Sequence, residues 1–400
     1  MWFNEKDIVK YDTINVDDLH GYVLPHAGTS HTGDIIGHTL RFKPVKKFEK
    51  IIILYYPAFK KKNINTKYKK YYHEYYVVMK SLDYVIKNFW KIDTKFKFVP
   101  INLKYLKNPK KSKKKFKNLK KKTLKPNKYS FIINELNKYN SKKDLIVVSA
   151  DFSHFLEFQE AIKKENKAAH GLMFRNKINK NLSVVDDMIS FNKLYSIIPK
   201  DYILQWVGRT RSMGYKGVGY LSFLIRQKAN PQLNKPDGIF ITSYDKELNA
   251  RECLGNWFNI NNPYTKFEET KLKNKVLDLS GKTSRLTSGK FLEIPIKYYT
   301  ITYLYKDNYN KFIRGWHGIK YNAFYLPNVF LENTFNNGDW INSSDVLWKK
   351  DNEFNLSETL HKLNNKAGIF YNDNNKKNYE LYYSHQKHII IKKRKSKKLY

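Results

Sequence analysis

Two turns in this chain carry residue types that can do chemistry. In GYVLPHAGTSHTG, residues 21–33, an apolar run stops at Pro25 and His26 stands on a glycine-bearing turn. In VVSADFSH, residues 147–154, a second apolar run opens into Asp151, Ser153 and His154. Imidazole nitrogens and carboxylate oxygens are ligands for divalent metals, and a carboxylate that orients a histidine also serves proton transfer. Each turn has a plainer reading as well: Asp151 or Ser153 can cap a helix, and His26 can simply bond its neighbours.

The elements around these turns predict how they are displayed. Residues 21–24, 50–56, 96–102 and 144–150 are short runs rich in Ile, Val and Leu, as buried strands are. Between them, 73–90 and 129–139 place apolar residues at three- and four-residue intervals, as helices packed on a sheet do. Strands alternating with helices give an α/β layer fold, and such folds gather ligands at the carboxyl ends of strands. Further helical stretches are expected at 155–179 and 184–196. The glycines at 208, 214, 217 and 219 then introduce a helix-like run, LSFLIR, followed by a strand at 238–244.

Composition sets the outer bounds. The chain has 400 residues, which favours two domains, and at 41% hydrophobic and 16% aromatic it has ample material for cores. No run approaches the roughly 18 consecutive apolar residues of a membrane span, and the first residues, MWFNEKDIVKYD, lack the pattern of a signal peptide. The single cysteine, Cys253, excludes an intrachain disulfide and suits a reducing, cytoplasmic setting. A lone cysteine reads first as a small buried apolar residue and second as a reactive thiol. The net charge of +39 suggests a polyanionic partner such as nucleic acid, engaged through Lys107 to Lys128 and Lys392 to Lys398. The same abundance of Lys, Asn, Ile and Tyr is also what an A/T-rich genome encodes, whether that of a microbe or of a large DNA virus.

Taken together, the turns PHAG and SADFSH resemble the P-H-A-G-Y and S-S-D-(F/L)-S-H turns of the Memo family, in the same order and at similar spacing. KFKFVPI resembles that family's strand leading to I-I-P, and His73 falls where relatives begin a helix with E-H-S-x-E. The resemblance covers about residues 20–255. It implies the fold of class III extradiol dioxygenases, a central sheet flanked by helices. It also implies a metal site of histidines and, in several members, a cysteine, with iron, copper or zinc bound. The matching positions are His26, Asp151 and His154, with Gly208 and Arg209 matching the G-R of a C-G-R turn. Two ligand positions differ: YYPAFK has no histidine where relatives have P-S-H, and Val207 stands in the cysteine's place. His31 and His73 are the nearest substitutes.

Downstream, IRGWHGIKYNAFYLPNVFL at 313–331 and LSETLHKLNNKAGIF at 356–370 resemble the AMMECR family's hairpin ending in F-L-P-Q-V and its following helix. The family's earlier L-R-G-C-I-G segment has no counterpart here, which implies an abbreviated domain. The expected organisation is therefore a Memo-like domain over 1–259 with a solvated lysine-rich insertion at 107–128, a linker at 260–289, and a smaller α+β domain with a basic tail over 290–400. Three functions follow as expectations: a metal-binding, redox-related protein, a binding or scaffold protein that kept the fold without the chemistry, and a polyanion-binding protein.

Overall fold

In the computed structural model, the residues described are 2–57, 72–92, 95–105, 128–176, 184–212, 216–282, 295–307, 317–320, 323–333, 363, 366–367 and 380–391. Two compact units divide the chain, the first built chiefly from residues up to Gln227, the second beginning at Lys228 and including Asn166–Asn176. Both mix strands and helices.

The first unit is laid out by β1 (Ile14–Val16), β2 (Leu19–Leu24), α1 (Thr29–Leu40), β3 (Phe42–Pro44), β4 (Lys50–Tyr55), α2 (His73–Asn88), β5 (Lys97–Asn102), α3 (Lys128–Asn137) and β6 (Asp144–Ser149). There follow α4 (Phe158–Met173), which runs on into the second unit's residues, α5 (Met188–Ile197), β7 (Tyr202–Arg211) and β8 (Gly219–Gln227). Six strands form one sheet in the order β5-β4-β6-β2-β8-β7. The strands from β5 to β2 run parallel, and β8 and β7 are antiparallel to their neighbours.

The centre of this sheet explains itself chemically. Every residue of β6 is buried, and so is all of β4 after Lys50. Strands covered on both faces need continuous apolar sequence, and each fully buried Val or Ile contributes about 1.5–3 kcal/mol. Pro100 sits in β5 at the sheet's edge, where a missing N–H does least harm. Gly21 is required where β2 meets β6, because a Cβ there would stand 1.8 Å from the Ile146 carbonyl oxygen. Helix α2 turns Val78, Leu82, Val85 and Ile86 inward at helical spacing.

One expectation for this unit is corrected. Residues 219–227 form strand β8, not a helix, and Gly208 and Arg209 lie within β7. A run buried on both faces shows no alternation, so the apolar pattern LSFLIR alone does not separate strand from helix.

The second unit contains β9 (Gly238–Asp245), β10 (Ala250–Trp257), α6 (Lys266–Lys282), β11 (Ile296–Lys306), β12 (His317–Lys320), β13 (Phe324–Tyr325), α7 (Pro327–Asn333) and β14 (Glu380–Ile390). Its antiparallel sheet runs β10-β9-β11-β14-β12-β13. Ile239, Ile241, Ile301 and Tyr303 pack with Val276 of α6. This division differs from a boundary within 261–289. Strand β9 pairs with β11 from Asp245–Ile296 to Gly238–Leu304, which places β9 and β10 with the later strands. Residues 266–282 are a helix rather than a linker.

The expected hairpin appears as β12 paired with β13, and Pro327 begins α7. Of the helix expected at 356–369, only Leu363, Lys366 and Ala367 are described, with the Ala367 N–H donating to the Leu363 carbonyl. The lysine-rich span 107–127 and the tail 392–400 lie outside the described residues. No helix among the described residues is long and apolar enough to cross a membrane.

Candidate metal centre

Strands β2 and β6 are parallel neighbours, with Leu24 opposite Ser149 at their carboxyl ends. The chain leaving β2 therefore delivers His26 beside Asp151, which leaves β6. The two residues are buried, each about 4% exposed. A third group joins them from the segment before α5: Asp186, whose side chain is 19% exposed. Among the described residues, His26, Asp151 and Asp186 are the group whose ligand atoms, one from each, lie within 4.8 Å of one another. This trio can hold a metal ion.

Each of the three is fixed by the main chain in a way that turns one atom inward. The backbone N–H of His26 donates to Asp151 Oδ1 at 2.8 Å, and Asp151 Oδ2 faces His26 Nε2 at 3.6 Å. The backbone N–H of Asp151 donates to Asp186 Oδ1 at 3.1 Å, and Asp186 Oδ2 faces the same Nε2 at 3.2 Å. The Asp186 N–H returns a bond to the Asp151 carbonyl at 3.2 Å. One oxygen of each carboxylate is thus engaged by the scaffold while the other is aimed at the imidazole. On the far side of the ring, His26 Nδ1 lies 3.0 Å from Ser149 Oγ, which is 2.5 Å from the Glu74 carbonyl oxygen.

The electrostatics follow from this crowding. Burial by itself would lower the pKa of His26, but Asp151 and Asp186, with Glu74 behind them, outweigh it and hold the imidazolium up to about 10. Burial pushes the Asp151 carboxyl above its ordinary value against the pull of His26. His73, at the start of α2, sets its ring edge-on to His26 with centroids 5.3 Å apart. Burial and the charge on His26 together lower it to about 4, so it is neutral. Trp2 packs tilted against His73. Asp187, next to Asp186, is pushed up to about 7 by burial although Ser190 hydrogen bonds oppose the shift, and it caps α5 through the Ser190 N–H.

The other residues singled out by sequence fall elsewhere. His154 is exposed, donates through Nδ1 to the Phe152 carbonyl at 2.9 Å and bridges to Val218; it is not part of the trio. The D-F-S-H turn sends Asp151 inward but swings outward after Ser153. His31 is exposed on the first turn of α1 and is likewise outside the trio. Gly208 is a packing residue, since a Cβ there would meet Ser222 Oγ at 2.4 Å and Ile35 close behind. Arg209 is buried and ion-paired to Glu165 at 2.7 Å. Val207 is buried in β7. In the second unit, Cys253 is exposed rather than the buried residue a lone cysteine first suggests; desolvation of its thiol pushes the pKa up, the opposite of a reactive thiolate, and its sulfur accepts from Thr242 Oγ1.

Asp186 is the member that sequence reading passed over. It stands in VVDDM, where a pair of apolar residues breaks into a pair of acids just before a helical pattern. That sequence reads as a helix start and gives no hint of a partner 35 residues earlier.

No protein-family model matches the chain, and no curated protein matches it.

Proposed function

We propose that the first unit is a Memo-like metal-binding module whose ligands are His26, Asp151 and Asp186. The observation that carries this reading is the convergence of Asp151 Oδ2 and Asp186 Oδ2 on His26 Nε2, while the companion oxygens are occupied by main-chain N–H groups. A set of one imidazole and two carboxylates, without a thiolate, suits iron(II), manganese or zinc better than copper(I). Three protein ligands leave positions open, so a bound ion would supply Lewis acidity to a water or substrate oxygen there. Asp186, the most exposed of the three, places that open side toward solvent.

The competing reading is a metal-free ion triad in which the proton on His26 satisfies both carboxylates and ties β2, β6 and the segment before α5 together. The high pKa of His26 favours it. Metal and proton compete for Nε2, so the two readings separate in one experiment. Purified protein is titrated with iron(II), manganese(II) and zinc(II) at several pH values. The metal reading expects saturable binding of one ion, tightening as pH rises and lost in Asp186→Asn. No saturable binding by the wild-type protein at any pH would leave the triad as a structural tie.

A further inference from the structure

The hydrogen bonds behind His26 determine which form of its ring the site presents. A hydroxyl has one proton to give and can accept others. Ser149 Oγ lies 2.5 Å from the Glu74 carbonyl oxygen, which can only accept, so the Ser149 proton is committed there. The second contact of Ser149 Oγ, 3.0 Å from His26 Nδ1, must then be one in which the hydroxyl oxygen accepts and Nδ1 carries the hydrogen. All three groups are buried: Ser149 is fully enclosed, and Glu74 and His26 are 2% and 4% exposed. An N–H left without a partner in such a place would be costly, which makes the arrangement directional.

We infer that Ser149, anchored by the Glu74 carbonyl of α2, is the positioning residue that keeps the hydrogen of His26 on Nδ1 and thereby makes Nε2 the ligand atom. This rests on the metal-binding reading for its consequence, but not for its geometry. Nε2 is also the nitrogen that faces both carboxylates. Outer hydrogen bonds of this kind fix the tautomer and orientation of metal-bound histidines, and removing them weakens metal binding about 10–100-fold. Ser149 reaches His26 from the end of β6, two residues before Asp151, so the strand that supplies one ligand also orients another.

The test compares wild-type protein with Ser149→Ala and with Ser149→Thr, which keeps the hydroxyl. In metal-free, nitrogen-15 histidine-labelled protein, the wild type should show a slowly exchanging ring N–H on His26 Nδ1, absent from Ser149→Ala and retained in Ser149→Thr. Zinc(II) and manganese(II) should bind Ser149→Ala about 10–100-fold more weakly than wild type, with affinity recovered in Ser149→Thr. In the zinc-loaded wild type, the nitrogen-15 shift should assign Nε2 as the metal-bound atom. A protected Nδ1–H that persists in Ser149→Ala, or zinc bound through Nδ1, would overturn the inference. If wild-type protein binds neither ion, the metal reading falls, and the ring N–H comparison still decides the role of Ser149.

Discussion

Two charge clusters are anchored two residues apart on the chain, at Asp151 and at Ser153, and they are built on opposite principles. Around Asp151, two carboxylates surround one histidine, and each keeps an oxygen turned inward. Around Ser153, one carboxylate, Glu165, lies between two guanidinium groups, Arg209 and Arg211. Arg211 donates to Ser153 Oγ, Glu165 Oε1 and the carbonyls of Leu156 and Gly217. Arg209 donates to Glu165 Oε2 and the Ile162 carbonyl, and the Ser153 hydroxyl donates to Glu165 as well. Here fixed positive donors meet protein acceptors, which is what a structural tie needs. In the His26 trio the charge is carried by a titratable ring, and acceptors outnumber the protons that can satisfy them. An excess of acceptors around a removable proton is what a cation site needs.

The contrast can be broken most forcefully at Glu165. Glu165→Gln removes the one anion between two buried arginines, and urea unfolding should show a loss of about 3–5 kcal/mol, the usual result of stranding a buried charge. A loss below about 1 kcal/mol would mean that the cluster is not a structural tie.

A second test uses pH. His26 keeps its proton up to about pH 10 when folded, against 6.5 for an ordinary histidine. Across that window the folded chain holds the extra proton, so the contribution is complete below about pH 6.5 and falls as pH rises toward 10. The slope is at most about 1.4 kcal/mol per pH unit. The difference between wild type and His26→Gln, followed by denaturant unfolding without metal, should carry this slope. A flat difference would place the proton elsewhere.

The third test separates affinity from stability. Asp186→Asn should reduce manganese(II) or zinc(II) affinity by more than the roughly 10–100-fold typical of an outer hydrogen-bond partner, while unfolding free energy, compared without metal near pH 10 where the His26 proton no longer contributes, changes by only about 1 kcal/mol. Equal loss in both would make Asp186 a structural residue. Smallest of all, His154→Ala should leave metal affinity unchanged in the same titration and stability within about 0.5 kcal/mol. A clear drop in affinity would return His154 to the site.

Much of the layout was legible because the sheet's central strands are buried on both faces. Apolar runs at 50–56 and 144–150 announce β4 and β6, and the polar turns after β2 and β6 display His26 and Asp151 where α/β proteins gather ligands. What sequence did not convey was the direction in which a side chain leaves a turn. Asp151 and His154 sit three residues apart in one motif, yet one is enclosed and the other faces solvent. Nor did it convey contacts whose partners are distant along the chain. Asp186 owes its place to a backbone bond from Asp151, and β9 owes its place to pairing with a strand more than fifty residues later. Strand β8 reads as a helix from sequence because a doubly buried strand loses the alternation that identifies strands.

Pro100 has a bearing on how this protein behaves in a crowded solution. An outermost strand is a template on which a second chain can build, and nearly continuous apolar strands of the kind packed beside it are the sequences that assemble into fibres. With no N–H to offer midway along β5, this edge of the sheet cannot form an uninterrupted ladder with a neighbouring strand. One imino acid thus breaks the row of backbone donors along this edge of the sheet.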